Sequence, residues 1–344
     1  MNTISKLALL FISIFIISCS DDDNSSPVIP EGDFFNGTLI LNEGGSGGGS
    51  VSFLDSGVLE LQNSIFEEVN EGERPGLFLQ SIFFDDDKAY IIANGSNLIS
   101  VVNRYTFEFM GTVDSGLSVP RYGAVHNGKA YVTNLSSFDS DQDDYIAVID
   151  LETLEVEETV VVGAVAERIV KANGEMYIQN AAFGAGNQIS KFNPATNSIT
   201  STLEVGEGLN SLQLYNQELY LLDAEGVKSI NLGSFEIENQ ISIPESLAAV
   251  NNLRVVNNQL YYTSGTAAYS SELNASELSE NIIFDYASNS AFGSFYGFEV
   301  NEDQIYVGDA GDFTSNGTIF VYSTTGELLF EDSVGIAPNS FYFQ

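Results

Sequence analysis

One segment recurs along the chain: a short strand of aromatic and β-branched residues that ends on Asn, Asp or Ser. Its seven copies are residues 39–42, 90–94, 131–134, 177–180, 220–223, 261–264 and 306–309. The six copies that begin with tyrosine are separated by 41, 46, 43, 41 and 45 residues. A repeat of this length, built of strands without helical periodicity, is typical of four-stranded units that each contact only their neighbours.

A second strand follows each copy and ends on a polar residue that favours a turn. These strands are residues 51–55, 99–103, 146–150, 189–193, 227–231, 270–274 and 319–323. A third strand, and one that opens the next repeat, complete a unit of four strands, A to D. The sequence therefore predicts an all-β fold, a seven-bladed β-propeller of four-stranded antiparallel blades.

The two ends of the repeat array complement each other. The first repeat begins at its B strand, residues 37–42, whereas residues 336–343 resemble an A strand with no B strand after it. Pairing of this C-terminal strand with the N-terminal blade closes the ring and leaves no long exposed sheet edge. We therefore expect residues 36–344 to form one closed propeller.

An export signal precedes the repeats. Residues 1–18 combine Lys6 with an apolar run that is too short to span a bilayer. Ser18-Cys19 resembles the lipobox of bacterial lipoproteins, in which the cysteine is acylated; the alternative is an ordinary secretory signal with a chance cysteine. Residues 19–35 begin with an acidic run that is expected to be a flexible tether. This run resembles the export signal of Bacteroidetes surface lipoproteins, which implies a lipid-anchored outer-membrane protein facing the exterior.

The charge balance limits the partners. The chain has 48 acidic and 11 basic residues, a net charge of −37. Such a chain repels nucleic-acid backbones and anionic membranes. We expect no nucleic-acid partner, and membrane contact only through the lipid anchor.

Three arginines point to a binding site on one face. The B–C and D–A loops of a propeller emerge together around the central channel. Here we expect the B–C loops to be long and varied and the A–B turns to be tight, which favours function on the B–C face. Arg74, Arg121 and Arg168 are spaced 47 residues apart near the starts of A strands, so we expect them to converge at the channel mouth. The alternative is that they pair with carboxylates such as Glu73 and Glu167.

Amide and aromatic residues of the same loops are further candidate ligand contacts. They are Asn42, Asn94, Asn134, Asn180, Tyr122, Phe138, Phe183, Phe295 and Tyr296. The asparagines have an alternative role as turn caps, and the aromatic residues could instead pack between blades.

Metal binding and catalysis find less support. Asp139, Asp141 and Asp143 alternate as in a calcium loop, but Asp144 replaces the required glycine, so a solvated acidic loop is favoured. The single histidine, His126, adjoins a tight A–B turn on the opposite face, which leaves no Ser-His-Asp or histidine metal site at the channel. We expect a binding protein without a catalytic cofactor.

Two resemblances add to this interpretation. Residues 131–134 read Tyr-Val-Thr-Asn and, with residues 146–150, resemble the YVTN family of β-propellers. The opening 37–44 with the glycine-rich stretch after it resembles the BtuG-like surface lipoproteins of Bacteroidetes. The second resemblance implies capture of cobalamin for a TonB-dependent outer-membrane transporter, with arginine suited to its phosphate, Asn to its amides and Phe or Tyr to its apolar faces. The alternatives are a glycan-binding propeller and an adhesive propeller that recognises a protein.

Overall fold

The computed structural model describes residues 32–288, 290 and 294–344. Cys19, the predicted signal peptide and all but the last residues of the predicted tether lie outside them. The described chain forms seven four-stranded antiparallel sheets in a ring. The predicted seven-bladed, all-β propeller is therefore confirmed.

Each blade contains strands A to D in order from the channel outwards. Blade 1 contains β28 (Pro338–Phe343), β1 (Gly37–Gly45), β2 (Gly48–Asp55) and β3 (Leu61–Gln62). Blades 2 and 3 contain β4 (Leu79–Asp85), β5 (Lys88–Ala93), β6 (Leu98–Asn103) and β7 (Phe109–Val113), then β8 (Pro120–His126), β9 (Lys129–Asn134), β10 (Tyr145–Asp150) and β11 (Glu155–Val161). Blades 4 and 5 contain β12 (Ile169–Ala172), β13 (Glu175–Ala182), β14 (Ala185–Asn193) and β15 (Ser198–Glu204), then β16 (Ser211–Tyr215), β17 (Glu218–Leu222), β18 (Gly226–Asn231) and β19 (Glu236–Ser242). Blades 6 and 7 contain β20 (Asn251–Val256), β21 (Gln259–Ser264), β22 (Ala267–Glu272) and β23 (Ile282–Asp285), then β24 (Gly297–Asn301), β25 (Gln304–Asp309), β26 (Thr318–Ser323) and β27 (Leu328–Ser333).

The C-terminal strand closes the ring as predicted. β28 pairs antiparallel with β1, and Ile40 lies opposite Phe341 in the register. Phe341 is buried in a cluster with Ile40, Tyr306 and Ile319, so the closing strand joins blade 1 to blade 7 by side-chain packing as well as by backbone hydrogen bonds. The closure thus removes the long unpaired edge that an open array would present.

The B and C strands form the core because neighbouring blades cover both of their faces. The B strand β5 is buried from Ala89 to Ala93. Phe83 of the inner strand stacks on Tyr90 with ring centroids 4.7 Å apart. By contrast, the outer strand β11 faces solvent along most of its length. Continuous apolar runs in B and C and polar runs in D follow from this arrangement.

The B–C connections differ from those expected. In blades 1, 4 and 6 the strands extend almost to their tips, and two-residue turns join them at 46–47, 183–184 and 265–266. The third strand of blade 6 is accordingly β22, which begins before the expected 270–274. Long connections remain in blade 3 (135–144) and blade 7 (310–317). The varied sequences of this face therefore lie on both projecting hairpins and loops.

One short α-helix and one 3₁₀ turn (Asn94–Ser96) interrupt the β pattern of the described residues. The outer strand β3 has two residues, and the helix α1 (Ile65–Val69) follows it. Ile65 and Phe66 are buried, so this turn of helix supplies the apolar side chains that a longer outer strand would have placed there. A five-residue helix is too short to produce a periodic pattern in the sequence. Among the described residues, no helix has the length and apolar character needed to cross a membrane.

Candidate functional site

A cavity of about 440 Å³ opens on the face that carries the B–C and D–A connections. Its walls come from blades 1 to 4 and from the lead-in to blade 7. The lining residues are Glu43, Phe78, Gln80, Asn94, Arg121, Tyr122, Phe138, Arg168, Phe183, Tyr296, Asn339 and Ser340.

The strand register explains why the polar residues meet. Gln80, Arg121 and Asn339 are each the second residue of an A strand, in blades 2, 3 and 1. The A strands surround the channel, so equivalent positions in adjacent blades lie at the same height on its rim. The first polar residues of three inner strands thus form the floor of one cavity.

Arg121 is buried and fully engaged by the protein. Its Nε and Nη2 atoms lie 2.8 and 2.7 Å from the two carboxylate oxygens of Glu167, and Nη1 donates to Gln80 Oε1. Burial alone would lower the pKa of Arg121, but the Glu167 carboxylate outweighs it and the pKa is raised. This bidentate pair, 7% exposed on each residue, holds the floor of the cavity together.

Arg168 has a different environment. Its guanidinium lies 4.7 Å from the centre of the Tyr122 ring, over the ring face. Within residues 32–288, 290 and 294–344, its side chain makes no ion pair and no hydrogen bond. An arginine has five N–H donors, so Arg168 offers the cavity a cation with free hydrogen-bonding capacity.

The negative charge of the cavity is weakened by burial. Glu43 accepts a hydrogen bond from the Tyr296 hydroxyl, across the mouth of the cavity. Burial raises the pKa of Glu43, although the Tyr296 hydrogen bond and the charge of Arg121 act in the opposite direction. Because Arg121 and Glu167 pair with each other, Glu43 and Arg168 are the two residues of opposite charge that the cavity presents to a ligand.

Four exposed aromatic side chains surround the cavity. Phe138 and Phe183 are 72% and 75% exposed, and Phe78 and Tyr296 are each 38% exposed. The rings of Phe138 and Phe183 have centroids 6.0 Å apart. Exposed aromatic side chains that gather at one concave surface indicate a contact site, because each has a large apolar area to remove from water.

Two of these aromatic residues have a left-handed backbone conformation. Phe183 and Gly184 form the two-residue turn between β13 and β14 with φ angles of 53° and 81°. Asn, Asp or Gly is the usual residue at the first position of such a turn, and a bulky side chain costs about 1–2 kcal/mol there. Phe78 at the same rim also has a positive φ, of 52°. The same conformation occurs at the buried residues Phe107 and Phe295, so the exposure of Phe78 and Phe183, and not their backbone, is what indicates a contact role.

Comparison with protein-family models matches residues 36–342 to a domain of unknown function, DUF5074. The chain belongs to the DUF5074 family. Among curated protein sequences, none matches this DUF5074 chain.

Solved structures resemble the DUF5074 propeller in fold. A functionally unknown protein from Desulfotomaculum acetoxidans has a TM-score of 0.67 at 11% identity, covering 90% of this chain and 98% of its own. A quinonprotein alcohol dehydrogenase-like protein from Bacteroides thetaiotaomicron has a TM-score of 0.67 at 15% identity, covering 90% and 78%. The computationally designed Ika8 protein has a TM-score of 0.58 at 12% identity, covering 92% and 93%. At these identities the likeness concerns the fold alone.

The DUF5074 structure separates the three predicted arginines. Arg121 and Arg168 line the same cavity, whereas Arg74 lies outside it, beside α1. The guanidinium of Arg74 donates to Gly47 O and lies 3.9 Å from Glu67, not Glu73. The predicted convergence at the channel mouth therefore holds for Arg121 and Arg168 but not for Arg74. Equal spacing fails for Arg74 because this residue lies in the connection five residues before β4, which begins at Leu79, whereas Arg121 is the second residue of β8 and Arg168 directly precedes β12.

Of the four predicted asparagines, Asn94 lines the cavity and the other three do not. Asn42, Asn134 and Asn180 are buried and bonded within the protein, Asn42 to Ser52 at 3.0 Å, Asn134 to Val132 O at 2.9 Å and Asn180 to Val165 O at 2.8 Å. They lie near the ends of B strands, where neighbouring groups accept hydrogen bonds from their side-chain nitrogens. Asn94 lines the cavity and donates to Gln80 Oε1 at 3.0 Å.

Phe295 is a core residue rather than a cavity residue. It is 3% exposed and packs against Phe298 and Tyr286 with ring centroids 5.8 and 4.9 Å away. Its neighbour Tyr296 points to the cavity instead. The sequence could not distinguish the two, because adjacent side chains at the end of a connection face opposite ways.

The acidic loop and the histidine lie apart from the cavity floor. Asp141 and Asp143 are exposed and accept hydrogen bonds from Gln142 and Ser136, and Asp139 is exposed. In the described part of the chain, no three His, Cys, Asp or Glu side chains are grouped so that they could hold a metal ion. His126 ends β8, about 16 Å along the strand from Arg121.

Sequence reasoning missed several lining residues of the DUF5074 cavity. They are Glu43, Phe78, Gln80, Asn339 and Ser340. The available signal was the strand register, because Gln80 and Asn339 occupy the A-strand position of Arg121. That signal becomes usable only when the start of each A strand is known to within one residue.

Proposed function

We propose that this DUF5074 protein is a lipid-anchored protein of the outer membrane that faces the exterior and captures a nutrient for a TonB-dependent transporter. The nutrient is an amphipathic small molecule, and cobalamin or a related compound is the candidate. The observation that carries the proposal is the gathering of four exposed aromatic residues and an unpaired arginine at one cavity of an acidic propeller.

The chemistry of the cavity matches such a ligand. Its volume of about 440 Å³ lies within the range of small-molecule sites. Phe138 and Phe183 offer apolar faces to a flat molecule, and the amides of Gln80, Asn94 and Asn339 supply polar contacts beneath them. Arg168 suits an anionic group, which the overall charge of the protein would otherwise repel.

The residues that line the cavity favour binding over catalysis. The cavity holds no histidine, cysteine or lysine among the residues that line it. Glu43, the acid that lines the cavity, accepts a hydrogen bond from Tyr296, and Glu167, which lies behind the floor, is paired with Arg121. Capture and release require no such group, and the proposal therefore assigns no reaction and no catalytic cofactor.

Calorimetric titration with cyanocobalamin tests the proposal directly. The protein from Ser26 onward is expected to bind one equivalent, and the Phe138→Ala/Phe183→Ala double variant to bind about tenfold or more weakly. Phe109→Ala is the matched control, since Phe109 is 50% exposed but lies outside the cavity. Absence of heat and of thermal stabilisation would reject cobalamin and favour the glycan-binding or adhesive alternatives.

Membrane attachment is tested separately. In the full-length chain, Cys19→Ser is expected to release the protein from the membrane fraction, because the proposed acylated residue is removed. Protease treatment of intact cells then tests exposure to the exterior. A Cys19→Ser protein that stays in the membrane fraction would reject the lipid anchor without affecting the cavity.

A further inference from the structure

A smaller pocket of about 210 Å³ adjoins the main cavity beneath Phe183. We call it the side pocket. The two share Tyr122, Arg168 and Phe183 as lining residues. The side pocket is completed by residues that the main cavity lacks, namely Glu167, Gln179, Ala181, Ala182, Gly184, Leu209 and Asn210.

Gln179 brings an unused hydrogen-bond acceptor to the side pocket. The residue is 3% exposed, and its Nε2 donates to Ala181 O at 2.9 Å. That bond fixes which end of the amide is the oxygen, and Oε1 has no hydrogen-bond partner among the described residues. Buried amide oxygens without a partner are uncommon, because desolvation of the acceptor is then uncompensated.

Arg168 brings an unused cation to the same pocket. The nearest buried carboxylate, Glu167, has both oxygens engaged by Arg121 at 2.7 and 2.8 Å. The guanidinium of Arg168 therefore contacts the Tyr122 ring and forms no ion pair within the described chain, and the charges of Glu167 and Glu299 act on it only from beyond ion-pair distance. The guanidinium of Arg168 and the Oε1 atom of Gln179 thus line one small pocket. No residue that lines this pocket gives the guanidinium an ion pair or Oε1 a hydrogen bond.

These two groups limit what the side pocket accepts. A simple oxyanion would satisfy Arg168 but would place its lone pairs against Gln179 Oε1. An ammonium group would satisfy Gln179 but would be repelled by Arg168, and a neutral polyol would leave Arg168 without a counter-ion. A group that carries an oxyanion beside a hydroxyl satisfies both, since the hydroxyl donates to Oε1 and the oxyanion accepts from the guanidinium.

We propose that the side pocket is the subsite for the polar end of the ligand, a hydroxylated group that bears a phosphate or a carboxylate. Arg168 binds the oxyanion, Gln179 accepts the hydrogen bond of the neighbouring hydroxyl, and Phe183 covers the group from above. The inference rests on the proposed function in that the apolar part of the same ligand lies in the main cavity.

Small probes test the subsite without the complete ligand. Ribose 5-phosphate carries both features, ribose and inorganic phosphate each carry one, and glucuronate replaces phosphate by carboxylate. By calorimetric titration, ribose 5-phosphate is expected to bind at least tenfold more tightly than ribose or inorganic phosphate. A comparison of ribose 5-phosphate with glucuronate then decides which oxyanion the site prefers.

Variants separate the two contacts. Arg168→Met is expected to weaken the binding of both ribose 5-phosphate and inorganic phosphate at least tenfold. Gln179→Met is expected to weaken the binding of ribose 5-phosphate and to leave that of inorganic phosphate unchanged. Arg74→Met is the matched control, because Arg74 lies outside both cavities. If Gln179→Met does not fold, Arg168→Met still tests the subsite, because Arg168 makes no hydrogen bond within the described chain whereas Gln179 Nε2 donates to Ala181 O.

Several results would overturn the subsite. They are inorganic phosphate binding as tightly as ribose 5-phosphate, no binding of any probe, and unchanged affinity in Arg168→Met. The parallel cyanocobalamin titration keeps the two proposals apart. If cyanocobalamin binds and none of the small probes does, only the subsite is rejected. If the probes bind and cyanocobalamin does not, only the cobalamin assignment is rejected.

Discussion

Arg121 and Arg168 lie near the starts of the A strands of neighbouring blades, one register position apart, and they have different surroundings. Arg121 is 7% exposed and paired in bidentate fashion with Glu167, whereas Arg168 has no ion pair in the described chain. Removal of one partner of a buried pair costs about 3–5 kcal/mol, since the other charge stays buried alone.

This difference predicts opposite outcomes for two similar substitutions. Arg121→Met is expected to lower the free energy of unfolding by about 3–5 kcal/mol, and Arg168→Met to lower it by no more than about 1 kcal/mol, the contribution of its cation–π contact with Tyr122. Urea denaturation of both variants measures the effect, with Arg168→Met as the internal control. Equal losses of stability would show that Arg168 also has a structural partner.

Asp144 predicts a pH dependence of stability. It is 1% exposed, and burial raises its pKa to about 7. Its Oδ2 accepts from the amide of Ala166 at 3.0 Å, and its Oδ1 has no partner among the described residues. The carboxyls of Asp143, Asp141 and Glu167 face it and favour its protonated form. Since the unfolded pKa is about 3.9, the favourable contribution of the proton to folding is complete below about pH 4 and is lost as the pH rises through 7.

Replacement of this carboxyl should therefore reduce the pH dependence. Relative to wild type, Asp144→Asn is expected to gain up to about 1.4 kcal/mol of stability per pH unit between about pH 4 and pH 7. Urea denaturation across that range measures the difference. Asp143→Asn, at an exposed neighbouring position, controls for the loss of one negative charge, and an identical pH profile in both variants would contradict the prediction.

At the scale of elements, the closing strand β28 is predicted to control the stability of the whole ring. Phe341 lies opposite Ile40 in the register and 5.6 Å, between ring centroids, from Tyr306 of blade 7. Phe341→Ala is expected to cost about 3–5 kcal/mol, as for other buried Phe residues. Thermal and urea unfolding measure this loss of stability, and Phe109→Ala, at an exposed position, is the control. A loss below about 1 kcal/mol would mean that the ring is held elsewhere.

At the scale of the whole molecule, self-repulsion opposes the compact state. The net charge is −37, and salt screens charges separated by more than about 8 Å at 0.15 M. Raising sodium chloride from low concentration to 0.15 M is therefore expected to raise the Tm by roughly 2 °C for each kcal/mol of repulsion relieved. Calorimetric scans measure it. The Asp86→Asn/Asp87→Asn variant should show a smaller salt effect, and an unchanged Tm would contradict the prediction.

The sequence by itself determined the class of fold, the number of blades and the way the ring closes. These depend on runs such as 89–93 and 338–343, whose apolar residues are buried wherever a four-stranded blade packs on its neighbours. Each repeat contains this pattern within its own sequence, so the fold could be predicted without knowledge of contacts between distant residues. The short helix α1 and the two-residue B–C turns were not predictable, because neither leaves a periodic signal in the sequence.

Only the tertiary structure decided which candidate residues form the site. Arg121 of blade 3 meets Glu167 of blade 4 and Gln80 of blade 2, and these contacts leave Arg168 as the unpaired cation. Similarly, Asn94 reaches the cavity while Asn134 is bonded inside its blade. Spacing along the chain places such residues at the same height on the ring. Whether a side chain is free or engaged depends on what the adjacent blade places beside it, which the spacing does not contain.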